Sequence, residues 1–226
     1  MILELNNVTY EYRTKLQTVR AVNGVSFGFE EGKFYAIIGK SGSGKTTLLS
    51  LMAGLDLPTS GEILYSGKPM KAIDTDEYRR EHASVVYQSY NLFLKMTVLE
   101  NAMVPLLLKK VEKGEARSRA AACLRDVDLA EDKFLRYPNM LSGGEQQRVA
   151  IARSLAGGQR IMLADEPTGN LDSENGKNVI EILKRLAHEK NMLVIVVTHD
   201  AEVSSQADIA LRMSDGKLSV HGSEKV

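Results

Sequence analysis

The 226-residue chain predicts an α/β fold in three parts: a core on a parallel sheet, an antiparallel β layer ahead of it, and a helical block inserted into it. Three observations carry this. An apolar strand, Ala36-Ile37-Ile38, runs through a glycine-rich turn, Gly39-Lys40-Ser41-Gly42-Ser43-Gly44, into an apolar-periodic helix that begins Lys45-Thr46-Thr47. The residues ahead of it alternate apolar with polar or small at period two, the pattern of half-buried strands. Between Ser89 and Gly157 the periodicity becomes helical, with strand-bearing blocks on both sides.

Bulk composition narrows the function classes. Lys+Arg and Asp+Glu are equal at 29 each, and this zero net charge argues against a dedicated nucleic-acid binder, whose surface would be basic. No run of about eighteen apolar residues occurs, and Met1-Ile2-Leu3-Glu4 lacks the regions of a signal peptide. The expectation is a soluble, cytoplasmic protein with no direct membrane insertion. The one cysteine, Cys123, excludes an intrachain disulfide, and its spacing with Ala120, Leu124 and Val127 predicts a buried, inert thiol on a helix. His82, His188, His199 and His221 show no metal-ligand spacing.

Taken in order, Leu3 and Leu5, then Val8, Tyr10 and Tyr12, then Val25, Phe27 and Phe29 read as strands, and Glu30-Glu31-Gly32-Lys33 as a turn. Tyr12 precedes a polar loop, so its ring suits either stacking on a base or packing on the core. Gly39 and Gly44, followed by Lys45 and Thr46, have the P-loop spacing. Glycine permits the backbone to turn successive N–H groups inward onto phosphate oxygens, and the helix opening at Gly44 adds its positive end. Lys45 can reach the β and γ phosphates, and Thr46 can ligate Mg²⁺. Alone, this predicts a nucleoside triphosphate and Mg²⁺. Leu57 to Gly61 is a turn, Glu62 to Tyr65 a short strand, and Asp74 to Glu81 a charged surface helix. Ala83 to Gln88 is a strand whose last residue reads as a metal- or water-reaching group, or as an ordinary loop glutamine.

In the helical block, Thr97 to Leu108 is apolar but expected to break at Pro105, and Glu115 to Leu129 carries the Ala120–Val127 stripe. Leu141-Ser142-Gly143-Gly144-Glu145 follows. Ser142 and Glu145 have capping-box spacing, and the small residues between leave a positive helix N-terminus open to a second phosphate. The strand Ile161 to Ala164 ends in Asp165-Glu166. Two carboxylates there are too costly to bury unpaired, and the carboxyl edge of a parallel sheet is where ligands bind. Asp165 is therefore assigned to Mg²⁺ through its water shell and Glu166 to polarising a water. Asn170-Leu171-Asp172 forms a loop, Val179, Ile182, Leu183 and Leu186 mark a helix, and Met192 to Thr198 is a buried strand ending at His199. A lone histidine there suits a structural role or a contact to a γ-phosphate. The tail from Ala207 to Val226 alternates briefly and turns at Asp215-Gly216.

With these motifs in sequence, the chain resembles an ABC transporter ATP-binding subunit over nearly its whole length. The resemblance implies a P-loop NTPase (RecA-like) core with a parallel sheet, an N-terminal antiparallel β subdomain and an inserted helical subdomain. The implied division is 1–88 with 158–226 for the β subdomain and core, and 89–157 for the helical subdomain. It implies ATP and Mg²⁺ as ligands, with Tyr12 stacking on adenine, Gln88 ligating Mg²⁺ and coupling to a membrane permease, Glu166 as catalytic base, and His199 at the γ-phosphate. Leu141, Ser142, Gly143, Gly144 and Glu145 match the signature motif that binds ATP held by an opposing copy, and Asn170, Leu171 and Asp172 the loop at the dimer interface. A second copy of the chain is thus an expected partner, nucleic acid is not, and the location is the inner face of the cell membrane through the permease.

More narrowly, Ala164 to Asp172, Gln88 with Tyr90-Asn91-Leu92, and Thr97-Val98-Leu99-Glu100-Asn101 look like the macrolide-export, lipoprotein-release and antimicrobial-peptide-resistance group. Lys40, Tyr87 and Gly157-Gly158-Gln159 depart from that group's usual proline, phenylalanine and Asn-Pro turn. The rival implied functions are the ATPase of a non-transporting signalling or cell-division complex, and a soluble ABC ATPase. The second is opposed by the single P-loop and the absence of basic excess.

Overall fold

In the computed structural model, which describes residues 1–14 and 17–221, two sheets enclose the glycine-rich turn. β1 (Leu3–Arg13) and β2 (Thr18–Phe29) pair antiparallel, with Leu3 opposite Phe29, Leu5 opposite Phe27 and Val8 opposite Val25. This register sets apolar side chains against one another on the buried face. β3 (Phe34–Ile38) feeds the turn and α1 (Lys45–Met52), after which β4 (Ser60–Tyr65) and the two-residue β5 (Lys68–Pro69) complete a first sheet ordered β2-β1-β4-β5. β4 begins two residues before the expected Glu62, because Gly61, at φ +78°, passes against the Asn7 backbone where the β1–β4 register shifts. No residue with a Cβ fits there.

α2 (Thr75–Glu81) is capped by Asp74 and buries Tyr78, and β6 (Ala83–Val86) follows. The helical block comprises α3 (Val98–Leu108), α4 (Lys113–Asp126) and α5 (Gly143–Ala156). β7 (Ile161–Asp165), α6 (Ser173–Glu189), β8 (Leu193–Thr198), the short α7 (Ala201–Ser205), β9 (Ile209–Ser214) and β10 (Lys217–Val220) complete the chain. The second sheet runs β10-β9-β3-β8-β7-β6, parallel throughout except for the antiparallel edge strand β10. The last residues of the expected Ala207–Val226 tail lie outside the described residues.

Both faces of this sheet are covered, which is why β8 reads as an unbroken apolar run. Leu193, Ile195 and Val197 pack with α1 and the N-terminal β layer, while Val194 and Val196 pack with α3 to α6. Two local expectations change. The run expected to break at Pro105 is one helix, α3. Proline removes one N–H donor, but the Thr97/Glu100 capping box and the buried face of Val98, Leu99, Ala102, Met103 and Leu106 against α4 and α5 hold the helix through it. Cys123 is half-buried beside its cluster rather than within it; burial still pushes its thiol up to about 11, which keeps it unreactive.

Candidate functional site

The carboxyl ends of β3, β7 and β8 open onto one cleft of about 760 Å³. Its lining includes Tyr12, Ser41, Gly42, Gly44, Lys45, Thr46, Thr47, Gln88, Asp165, Glu166 and His199, so the sequence-predicted groups converge. At the turn, Gly44 adopts φ +103°, and a Cβ there would strike the Ala21 carbonyl oxygen. The buried Lys45 ammonium donates to the carbonyl oxygens of Gly39, at 2.7 Å, and Lys40, at 3.1 Å. Gly39, Lys40 and Ser43 do not line the cleft; they build the loop behind it, with the Ser43 hydroxyl buried and without a hydrogen-bond partner.

Across the cleft, Thr46 Oγ1 donates to Asp165 Oδ1 at 3.3 Å. Burial pushes the Asp165 carboxyl above the ordinary carboxylate range, and the neighbouring charge of Glu166 adds to this; the Thr46 hydrogen bond and the Lys45 charge act in the opposite direction. Glu166 sits in the left-handed region at φ +45°, fixed by its N–H donating to Val197 O at 2.9 Å. Its carboxylate is held at both oxygens. Thr198 Oγ1 donates to Oε2 at 3.0 Å, and His199 Nδ1 lies 2.9 Å from Oε1. Tyr12 is 47% exposed, which disfavours the core-packing reading, and its hydroxyl lies 3.2 Å from Thr47 Oγ1. Tyr10 braces it edge-on at 5.0 Å.

The remaining predicted residues gather elsewhere. None of Leu141 to Glu145 or Asn170 to Asp172 lines the cleft. Ser142 accepts the Glu145 N–H at 3.3 Å and Glu145 accepts the Ser142 N–H at 2.9 Å, the expected reciprocal cap, while Lys133 pairs with the same carboxylate. Leu141 is turned into the core and Gly144 is buried against Asn175, so Ser142 and Gly143 are what this segment offers outward. Gly143 lies beside Leu171 and the Asn170 carbonyl, and Asp172 caps α6 through Asn175. The two motifs thus adjoin each other outside the cleft lining, with Asn170 touching Gln88 at the cleft's border.

Sequence reading missed two residues. Thr198, fully buried, orients Glu166 and accepts the Asp200 N–H at 3.1 Å. Arg153, on α5, donates to the carbonyl oxygens of Tyr90, at 3.0 Å, and Asn91, at 2.7 Å, two residues with positive φ just after Gln88. An uncharged strand-end threonine and a helix arginine have no distinguishing pattern in sequence.

The profile of the family described as ABC transporter matches residues 22–169. This chain belongs to the ABC transporter family. It has the α/β cassette fold of that family's ATPases. The cassette is 38% identical over 219 residues to the uncharacterized ABC transporter ATP-binding protein YclH of Bacillus subtilis, covering 97% of this chain and 96% of that one. It is 41% identical over 224 residues to MJ0796 of Methanocaldococcus jannaschii, another uncharacterized ABC transporter ATP-binding protein, covering 96% and 95%. Two solved structures of MJ0796, one a dimeric cassette and one a dimeric post-hydrolysis state with ADP and Pi, each superpose with a TM-score of 0.87 at 40% identity, covering 96% of both chains.

Proposed function

We propose that this cassette hydrolyses ATP to ADP and phosphate as a homodimer and powers a separate membrane permease of the export or extraction type, acting on a peptide, drug or lipoprotein. The observation that carries the dimer is the separation of the two motif surfaces. One copy has a cleft with Lys45, Asp165, Glu166 and His199, while its Ser142 and Gly143 are not among the residues that line it. A second copy, turned head to tail, would supply Leu141 to Glu145 to the ATP and Asn170 to Asp172 to the seam. That MJ0796 has been solved as a dimeric cassette supports a dimer for this chain.

The residues fit Mg²⁺. Thr46, Gln88 and Asp165 offer hard oxygen donors, and Asp165 carries a carboxyl whose charged form is disfavoured without a cation. Among the described residues no group of three or more His, Cys, Asp or Glu is placed to hold a metal ion by itself, consistent with a shell completed by phosphates and water. Thr46, Gln88 and Asp165 would hold the ion, and its charge would then help offset that of the transferring phosphoryl group. Tyr12 stacks on the adenine, and the amides from Ser41 to Thr47 cradle the phosphates, with Gly39 and Ser43 shaping the loop. Lys45 exchanges its loop carbonyls for β and γ phosphate oxygens. Glu166 accepts the proton of the attacking water, its oxygens aimed by Thr198 and His199. His199 faces the γ-phosphate.

Residues 89–157 then act as the lobe that carries Ser142 toward the opposing site. A second groove of about 410 Å³ beside the Gln88 loop, with Leu55, Phe93, Val104 and Pro105 apolar and Arg79 and Arg153 cationic, supports a protein partner. No helix among the described residues is long and apolar enough to cross a membrane, so the permease supplies the span and fixes the cassette to the inner membrane face. The sequence features shared with the macrolide-export and lipoprotein-release group favour a permease with a large extracytoplasmic domain. Tagging the chain, solubilising native membranes gently and identifying co-purifying proteins tests this. Such a permease is expected; recovery of soluble partners alone would overturn the transport reading.

A further inference from the structure

Gln88, which lines the cleft, and Asn170, just outside the lining, clasp each other. The Gln88 Nε2–H donates to Asn170 Oδ1 at 3.2 Å, and the Asn170 Nδ2–H donates to the backbone carbonyl of Gln88 at 3.1 Å. Asn170 is itself on a pinned turn, since Gly169 N–H donates to Glu166 O and Leu171 N–H to Thr168 O, both at 3.0 Å. Gly169 gives the amide room: a Cβ there would stand 2.7 Å from Gln88 Nε2.

The two ends of a glutamine amide are nearly the same size, but only the oxygen can ligate a cation. An unrestrained Gln88 would present either end to the cleft. The clasp removes that ambiguity in two steps. The Gln88 backbone carbonyl accepts only from an N–H, which fixes the orientation of the Asn170 amide. Asn170 Oδ1 then accepts only from Gln88 Nε2, which leaves Gln88 Oε1 as the free end. No hydrogen bond to Oε1 occurs among the described residues.

We propose that Asn170 is a positioning residue that orients the Gln88 amide oxygen toward the metal, which ties the interface loop to the cation site. This rests on the reading of Gln88 as a Mg²⁺ ligand. Asn170 is not among the residues that line the cleft and acts through Gln88. Orienting groups of this kind typically contribute ten- to hundredfold to metal affinity.

The test is an equilibrium one and needs no turnover. The affinity of a fluorescent non-hydrolysable ATP analogue is measured with EDTA and with Mg²⁺, and the ratio of the two gives the metal's contribution. Asn170→Ala is expected to lower that ratio by roughly tenfold with the EDTA affinity unchanged. Gly169→Ala, which displaces the Gln88 amide while keeping Asn170, is expected to do the same and serves if Asn170→Ala folds poorly. In a Gln88→Ala background, Asn170→Ala is expected to add nothing. A wild-type ratio in Asn170→Ala and Gly169→Ala beside a lowered ratio in Gln88→Ala would overturn the positioning role and leave Gln88 as ligand. An equal loss from Asn170→Ala with and without Gln88 would overturn it too. An unchanged ratio in Gln88→Ala would remove the ligand reading itself, and the proposal with it.

Discussion

Glu166 is held by more contacts than any ordinary loop carboxylate requires. Its backbone is in the left-handed region, one oxygen accepts from a buried hydroxyl, and the other meets an imidazole. This is the arrangement of a base whose direction matters. Glu166→Gln is expected to keep ATP binding and lose turnover by roughly 10²–10⁴-fold, the usual worth of a positioned proton acceptor, in a phosphate-release assay. Thr198→Val removes the Oε2 donor without removing the base. It should lower kcat about fivefold while KM for ATP stays near wild type, since the lost bond is worth on the order of 1 kcal/mol; a change confined to KM would contradict the assignment. Glu166 and Asp165 were legible in the sequence because two carboxylates ending an apolar strand have no inexpensive structural use. Thr198 was not, because a threonine at a strand end is equally at home for its β propensity.

Among the elements, α5 does two things at its two ends. Its N-terminus presents Ser142, and Arg153 near its C-terminus grips the loop that follows Gln88. The loop after Gln88 and Ser142 are therefore attached to opposite ends of one helix. Arg153→Ala is expected to destabilise the fold by roughly 1–3 kcal/mol and to speed amide exchange in residues 88–92 while the glycine-rich loop exchanges as before. Uniform exchange across both would count against a local grip. At the start of β9, Asp208 accepts the Phe34 N–H at 2.8 Å and lies 2.9 Å from His188 Nε2. Burial raises its carboxyl, but those bonds and the charges of His188 and Lys33 together outweigh it and hold the carboxyl below the ordinary carboxylate range. A depressed folded value means stability present above the unfolded value and lost as pH falls through the folded one. Asp208→Asn is accordingly expected to flatten the acid limb of the stability curve below about pH 4, read by urea unfolding across pH. The helix through Pro105 shows where local rules yield to packing, since a buried face of five side chains outweighs one missing donor.

At the scale of the molecule, the layering was legible because each layer has its own periodicity: two for the N-terminal sheet, continuous apolar runs for the covered parallel strands, and 3.6 for the helical block. What the sequence could not supply is distance. By sequence, Leu141 to Glu145 read as a phosphate site and Asp165-Glu166 as a metal and water site; the folded chain puts only the second pair in the cleft lining, a division that motif chemistry alone does not give and only the family resemblance implies. The most direct test of the two-copy site is sedimentation of Glu166→Gln with ATP and Mg²⁺, with and without Ser142→Arg in the same chain. A doubling of mass holding two ATP molecules per dimer, abolished by Ser142→Arg while each monomer still binds nucleotide, is the predicted result. A monomer under saturating ATP, or a dimer indifferent to Ser142→Arg, would contradict the account.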